Sequence, residues 1–533
     1  MSYLKKLLII LLLFVLISVP VKATTSEEYT ENFIELRGAW VSTVGNLDID
    51  KQYSIEQYKD QYRTVLDTFE KFNMNAVFFQ VRPTNDAFYQ SEINPWSTYL
   101  TGAQGKDPGW DPLPWLIEET HKRGMEFHAW LNPYRVSLDV FSSKNLPFDQ
   151  FKQQLNTALG SMDSKNFAKK NPDLLVQGDQ RILLNPGEPK VRQHVFDTID
   201  EIITKYEVDA IHFDDYFYNG VSLSQDRELF MSSSNSNYYD DVKHKDWRRL
   251  QVDILIEGIN KLIESYNVEN NKAIQFGISP AAGWAPSNKE CTPAPAGYGM
   301  EGGMEGYPCT GYSSYHDLFA DTRKWVKEEW IDYILPQNYF DIARYHEAIS
   351  IWWNDQVAGT DVKLYMGLPM HEIAVNKYKP LEVVNELKLN QKYENISGYV
   401  LFSYKNLVRL IGGLGTATEE LQKYWTKKPL LPIKVVPGEA EDVKVSNFEF
   451  SRRNFKINLS FESNSNAIGY LLYRFGVNET PNFTNQNYYD TIYNNGDNIL
   501  YQDDVLNTDT FKYYIKAVLM NGEISDQVES VAV

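Results

Sequence analysis

The chain has 533 residues, of which 23% are charged and 43% hydrophobic, a globular composition and not that of a disordered tail. The formal net charge of −19 excludes a basic nucleic-acid footprint over the whole chain and argues against binding to an anionic membrane surface. Phe, Tyr and Trp make up 14% of the residues, which suits a neutral or amphipathic ligand such as carbohydrate as well as ordinary packing.

Lys5 and Lys6 precede an apolar run from Leu7 to Val19. Pro20 ends the run, and Val21-Lys22-Ala23 places small residues at the positions a signal peptidase reads. A cleaved signal peptide is expected over residues 1–23, with an uncleaved anchor as the alternative. The run is shorter than the roughly 20 residues of a membrane span. No Cys follows it to carry a lipid anchor, so the expected product is secreted, extracellular or cell-wall associated, with no membrane span after cleavage.

Short β-branched or aromatic runs bounded by Gly, Pro, Asn or Asp predict strands at 37–44, 76–82, 126–132, 209–215, 273–279, 332–339, 363–368 and 398–403. Amphipathic patterns predict helices at 54–72, 112–123, 189–205, 246–266, 316–329 and 380–392, with Asp111 as a cap for the second. This alternation predicts an α/β fold, a (β/α)₈ TIM barrel over residues 33–425. A doubly wound sheet is the competing architecture. No glycine-rich phosphate fingerprint follows the first strand, which argues against its nucleotide-binding form. Cys291 and Cys309 are the two cysteines, close enough in sequence to close a local loop by a disulfide; two free thiols are the alternative.

Residues 426–441, containing Lys427-Lys428-Pro429 and Pro437-Gly438, read as a linker. Residues 442–533 carry no helical period. Strands are predicted at 456–461, 469–475, 510–519 and 527–533, with Asn521-Gly522 as a hairpin turn. This is the pattern of a small all-β sandwich similar to a fibronectin type III domain. All 12 Trp lie at or before Trp425, so a spacer or packing role is favoured over a Trp-based glycan platform.

In a (β/α)₈ barrel the site forms at the carboxyl ends of the strands, and strand parity selects the inward side chains. Ile211 and Phe213 suit the helix side, so Ala210, His212 and Asp214 face inward, with Asp214 at the rim. The same parity turns Gln80 and Arg82 inward from the second strand, and His128, Trp130 and Asn132 from the third. Gln337 and Tyr339 are the inward choice on the sixth. Together they form a polar, aromatic-walled ring suited to sugar hydroxyls and C–H faces. Asp214 and Asp215 are adjacent carboxylates at a strand end, an arrangement that can separate acid and base pKa values. His212 and Asp214 share a face and could hold a cation, but the eight His are scattered and no HExxH occurs. No metal and no cofactor are expected. No GxSxG elbow is present for a serine hydrolase.

Several ordered motifs are similar to glycosyl-hydrolase-like family 10. They include Arg37-Gly38-Ala39-Trp40, Phe79-Gln80-Val81-Arg82-Pro83, Asn94-Pro95-Trp96-Ser97 and Leu100-Thr101-Gly102-Ala103-Gln104-Gly105-Lys106. Asp111-Pro112-Leu113, His128-Ala129-Trp130-Leu131-Asn132-Pro133-Tyr134-Arg135 and Leu184-Asn185-Pro186-Gly187 follow. His212-Phe213-Asp214-Asp215-Tyr216-Phe217-Tyr218 and Pro336-Gln337-Asn338-Tyr339 complete the series, over about residues 33–425. The resemblance implies an exported bacterial barrel with glycosidase activity. A family member that cleaves peptide-free peptidoglycan strands suggests, by analogy, a cell-wall or related N-acetylhexosamine polysaccharide as substrate. On that basis Asp214 and Asp215 are the catalytic candidates. Asp341, Asp86, Glu301 and Glu305 are alternatives for the second carboxylate. The acetamide of the substrate could instead serve as nucleophile, as in the family 18 chitinases, although their DxxDxDxE motif is missing here. Arg82, Asn132 and Arg135 would bind substrate, Trp130 and Tyr339 would stack on it, and Gln80, His128, Asn185, His212, Tyr216 and Gln337 would complete the site. The contrasting expectation is a catalytically silent glycan-binding wall protein on the same fold.

Overall fold

A computed structural model describes residues 31–144, 146–214, 217–234, 238–291, 299–432, 443–484, 487–494, 496, 498–506, 510–526 and 528–532. The expected signal segment 1–23, Asp215, Tyr216 and residues 433–442 lie outside the described residues. Eight parallel strands close into a barrel: β1 (Leu36–Val41), β2 (Ala76–Arg82), β3 (Glu126–Leu131), β4 (Ala210–Phe213), β5 (Gln275–Ile278), β6 (Tyr333–Ile334), β7 (Lys363–Leu368) and β8 (Ile396–Leu401). Closure is direct, since Gly38 of β1 pairs with Ala76 on one side and Val400 on the other. After the strands come, in turn, α1 (Ile55–Lys71), α2 (Pro112–His121), α3 (Pro189–Lys205), α4 (Asp241–Asn270), α5 (Thr322–Lys327), α6 (His346–Val357), α7 (Glu382–Asn390) and α8 (Leu414–Tyr424). This is the expected (β/α)₈ architecture.

Local chemistry explains the element boundaries. Ser54 accepts from the backbone N–H of Gln57 and starts α1, which buries Tyr58, Tyr62, Val65, Leu66 and Phe69 at helical spacing. Asp111 accepts from the N–H of Leu113, and Pro112 occupies the first turn of α2. The predicted helix at 316–329 is two pieces, Ser314–Asp317 and α5, because Phe319 has a positive φ of 53° and cannot continue a helix. β6 is only two residues long against the predicted 332–339. Pro336 has no N–H for the ladder, yet the segment stays extended and bridges Ala281 and Gly367 through Gln337.

Leu36, Trp40, Ala76, Phe78, Trp130, Ala210, Tyr333, Leu335, Tyr365 and Val400 fill the barrel interior. Phe79 faces outward, edge-on to Tyr62 of α1 with ring centroids 5.7 Å apart. A Cβ at Gly277 would fall inside the Tyr333 ring, so glycine at that position is what admits the tyrosine to the barrel axis.

Seven antiparallel strands follow: β9 (Ser446–Arg453), β10 (Lys456–Glu462), β11 (Ala467–Gly476), β12 (Asp490–Tyr493), β13 (Ile499–Asp504), β14 (Phe511–Leu519) and β15 (Glu529–Ala532). They form a three-stranded sheet β9-β10-β13 and a four-stranded sheet β12-β11-β14-β15 over a shared core that includes Leu459, Tyr470 and Ile515. Asn521-Gly522 makes the expected turn, with the Gly522 N–H donating to Leu519 O at 2.8 Å. Strands β9, β12 and β13 are additional to those expected; β9 is mostly exposed, and its polar residues fall on both faces. The first part of the expected linker is docked. Leu430 is 1% exposed, packs with Phe33, Leu471 and Tyr473, and exchanges backbone hydrogen bonds with Phe33 and Glu35. An apolar side chain between two basic residues and two prolines thus anchors a segment whose composition reads as linker. Among the described residues no helix is long and apolar enough to cross a membrane.

Candidate active site

The carboxyl ends of all eight strands surround a cleft of about 300 Å³. Trp40 comes from β1 and Ser42 follows it, Gln80 comes from β2, Trp130 from β3, Asp214 from the end of β4 and Ser279 from the end of β5. Gln337 and Tyr339 follow β6, His371 follows β7, and Phe402 follows β8. Arg135, Val44 and Leu47 complete the lining.

Asp214 is the one carboxylate lining this cleft among the described residues, and it is 3% exposed. Its Oδ2 accepts from Trp130 Nε1 at 3.3 Å and from Asn132 Nδ2. Both donors come from one face of the β3 end, so the third strand orients the carboxylate of the fourth. Asn132 is in turn fixed through its backbone: its N–H donates to Arg82 O at 3.0 Å, and Arg82 Nη1 donates to its carbonyl at 2.6 Å.

That arrangement corrects the expected role of Arg82. The side chain is 1% exposed and does not line the cleft; its guanidinium donates to Asn132 O, Asn94 Oδ1 and Asn85 Oδ1. It holds the β2 and β3 ends together behind the cleft wall. His128 and His212 are likewise inward but lie in the barrel interior, 0% exposed. Trp40 Nε1–H can only donate, so His212 Nε2, at 3.3 Å, accepts and also lies 3.1 Å from Ser279 Oγ. The His212 proton is then on Nδ1 and is donated to Tyr333 Oη at 3.0 Å. The Tyr333 hydroxyl donates to His128 Nδ1 at 2.8 Å, and His128 Nε2–H donates to Glu126 at 2.9 Å. Burial, with His128 nearby, pushes His212 well below the usual 6.5, in keeping with a neutral ring. These histidines position Trp40 under the cleft instead of meeting a ligand.

Asn185 also lies away from the cleft lining. It follows the short hairpin strand Arg181–Leu184, and its Oδ1 accepts from the Gly187 N–H at 3.1 Å, shaping the turn into α3. The structure brings together Gln80, Trp130, Arg135, Asp214, Gln337 and Tyr339, with Asn132 immediately behind Asp214. Gln337 is held by Nε2 donation to Ser279 O at 2.9 Å, and Arg135 by Nε donation to Pro83 O at 3.0 Å. None of the alternative second carboxylates lines the cleft. Asp86 is buried against Thr84, Thr98 and Gln104, Asp341 pairs with Arg344 at 2.8 Å, Glu305 pairs with Lys289 at 2.5 Å, and Glu301 is exposed.

His371, Trp40 and Phe402 line the cleft in addition to the residues expected from the sequence. His371 meets Tyr339 and Phe402 edge-on at 5.0 and 5.2 Å, and burial lowers its pKa. It lies in the short helix Met370–Ala374 that follows β7, where strand parity no longer applies, so no strand period in the sequence points to it. Asp48 ties the seam between β1 and β8 at the rim, accepting from Ser42 N at 2.8 Å, Ser403 Oγ at 2.7 Å and Lys405 N at 2.8 Å. Burial raises its carboxyl to about 6 in spite of these donors. Cys291 and Cys309 are joined in a disulfide. Among the described residues no group of three His, Cys, Asp or Glu is placed to hold a metal ion.

The fold and the site thus define a (β/α)₈ barrel whose strand ends converge on an aromatic cleft around one oriented aspartate. The chain belongs to the glycosyl hydrolase-like 10 family, whose profile matches residues 35–382. It is similar to glycosyl hydrolase YngK of Bacillus subtilis (strain 168), 35% identical over 427 residues, covering 78% of this chain and 76% of that protein. Glycosyl hydrolase DigH of Escherichia coli (strain K12) is 31% identical over 390 residues, covering 69% of this chain and 82% of that protein. Among solved structures, the PgaB (BpsB) glycoside hydrolase domain from Bordetella bronchiseptica is similar with a TM-score of 0.43 and 10% identity, covering 74% of this chain and 98% of that one.

Proposed function

We propose that this protein is an exported glycoside hydrolase that cleaves glycosidic bonds in an N-acetylhexosamine-containing polysaccharide, of the bacterial cell wall or related to it. The observation that carries the reading is Asp214, a buried, doubly hydrogen-bonded carboxylate facing a cleft walled by Trp40, Trp130, Tyr339 and Phe402. Aromatic faces suit the C–H faces of sugar rings, and Gln80, Gln337 and Arg135 supply polar groups for hydroxyls. Asp214 stabilises the positive charge that develops at the anomeric carbon, and the adjacent Asp215 protonates the leaving oxygen. Water then places its hydroxyl on the anomeric carbon and gives its remaining proton to the Asp215 carboxylate, which restores the acid. Residues 1–23 support export by their signal-peptide pattern. The three- and four-stranded sheets after residue 442 support a fibronectin type III-like spacer.

The test is product release from peptide-free peptidoglycan strands by the wild type and Asp214→Asn. Cleavage by the wild type and its loss in a folded variant is the expected result. Equal rates would remove Asp214 from the mechanism, and binding without any wild-type turnover would make the protein a silent glycan binder.

A further inference from the structure

The cleft contains a built hydrogen-bonding half-site at Gln80. This side chain is 0% exposed, and its two ends behave differently. Oε1 accepts three hydrogen bonds, from Ser42 Oγ at 3.2 Å, Thr43 N at 3.1 Å and Val44 N at 2.9 Å. Three donors on one atom identify it as the oxygen and fix the plane of the amide. The other end, Nε2, then carries two N–H groups and is buried without a protein partner. An unmet buried donor is costly in a folded protein, so a site that retains one has a use for it. Gln80 lines the cleft and is the register neighbour of Trp130, the residue that donates to Asp214. Asn132, two residues beyond Trp130, has the complementary surplus, a buried Oδ1 without a protein partner.

We infer that Gln80 Nε2 is a specificity-determining donor that takes an acceptor oxygen, carbonyl or hydroxyl, of the sugar seated against Trp130. This rests on the glycan-cleaving reading above. The structural and ligand-facing halves of Gln80 can be separated by one substitution. Gln80→Glu keeps an oxygen for Ser42, Thr43 and Val44 and removes both N–H donors.

The experiment measures binding of the N-acetylglucosamine tetramer and of cellotetraose to the full chain, by calorimetry, for wild type and Gln80→Glu with matched melting curves. A loss of tenfold or more in tetramer affinity is expected. If cellotetraose affinity is unaffected or absent throughout, the acceptor is the acetamido carbonyl; a parallel loss for cellotetraose makes it a hydroxyl. Unchanged affinity for both overturns the role of Gln80 and leaves the hydrolase reading standing. Failure of the wild type to bind either oligosaccharide overturns both. Should Gln80→Glu fail to fold, the wild-type complex with the tetramer decides. A sugar oxygen within hydrogen-bonding distance of Nε2 supports the inference, and a water or an empty space there overturns it.

Discussion

Trp130 Nε1 lies 3.3 Å from Asp214 Oδ2, so an indole on the third strand orients the carboxylate of the fourth. The contact can be removed with little change in the stacking surface. Trp130→Phe should lower kcat about tenfold, the order expected for a lost hydrogen bond to a charged group, with a smaller change in KM. A rise confined to KM would show that the indole serves only as a platform.

The loop that leaves Asp214 is anchored by a buried ion pair. Arg248 and Asp226 are both fully buried; Arg248 Nη2 reaches Asp226 Oδ1 at 2.5 Å, Nε reaches Oδ2 at 2.9 Å, and Nη1 donates to Val221 O at 2.8 Å. Burial alone would raise Asp226, but hydrogen bonds from His244 and Arg248 outweigh it and hold the carboxyl below 3.8. Arg248→Met should cost about 3–5 kcal/mol in denaturant unfolding, because it strands a buried carboxylate. Adding Asp226→Asn should restore part of that loss. A double variant less stable than Arg248→Met alone would refute the stranded-charge account.

Glu386 presents the opposite case. It is 0% exposed, its carboxylate oxygens lack a hydrogen-bond partner, and Oε1 is 3.6 Å from His346 Nδ1. Burial pushes its pKa well above 4.5, with Glu382 and Asp341 adding to the shift. Above 4.5 the unfolded chain ionises this residue while the folded chain keeps it protonated, so stability declines as pH rises toward the folded pKa. Glu386→Gln should therefore be more stable than wild type at pH 7 and similar near pH 4, measured by urea unfolding. A variant less stable at both pH values would contradict this.

The buried histidines set an acid limit. Burial lowers His194 to about 2 and His346 to about 4, and His212 falls well below 6.5. The unfolded chain protonates them below 6.5 and the folded chain does not. Their contribution to stability is complete above 6.5 and is lost as pH falls toward the folded values. Urea midpoints should drop between pH 7 and pH 5, with net proton uptake on unfolding. A flat profile together with no proton uptake would count against neutral buried rings.

The barrel was readable because its signals are local. Eight short apolar runs bounded by turn residues, with helical periods between them, specify the alternation. Parity placed Ala210 and Trp130 inside the barrel and Phe79 on the helix side, because a strand repeats every two residues. Parity does not encode depth. Arg82, His128 and His212 have the inward parity of Gln80 and Trp130, yet lie behind or below the cleft. The β2–β3 register shifts between Gln80 and Arg82, which breaks the parity at Arg82, and the partners of all three come from other strands: Asn132 for Arg82, Tyr333 for both histidines.

What the sequence alone determined was the repeating architecture, the family resemblance and the strand-end aspartate. Local periodicity and motif order carry those without long-range contacts. Only the tertiary structure decided which polar residues face open space, that His371 and Phe402 join the wall, and that Asn132 and Trp130 converge on Asp214. Those facts depend on barrel closure. It brings side chains from eight separate segments to one rim and satisfies most of their hydrogen-bonding groups, while Gln80 Nε2 stays unmet beside the cleft.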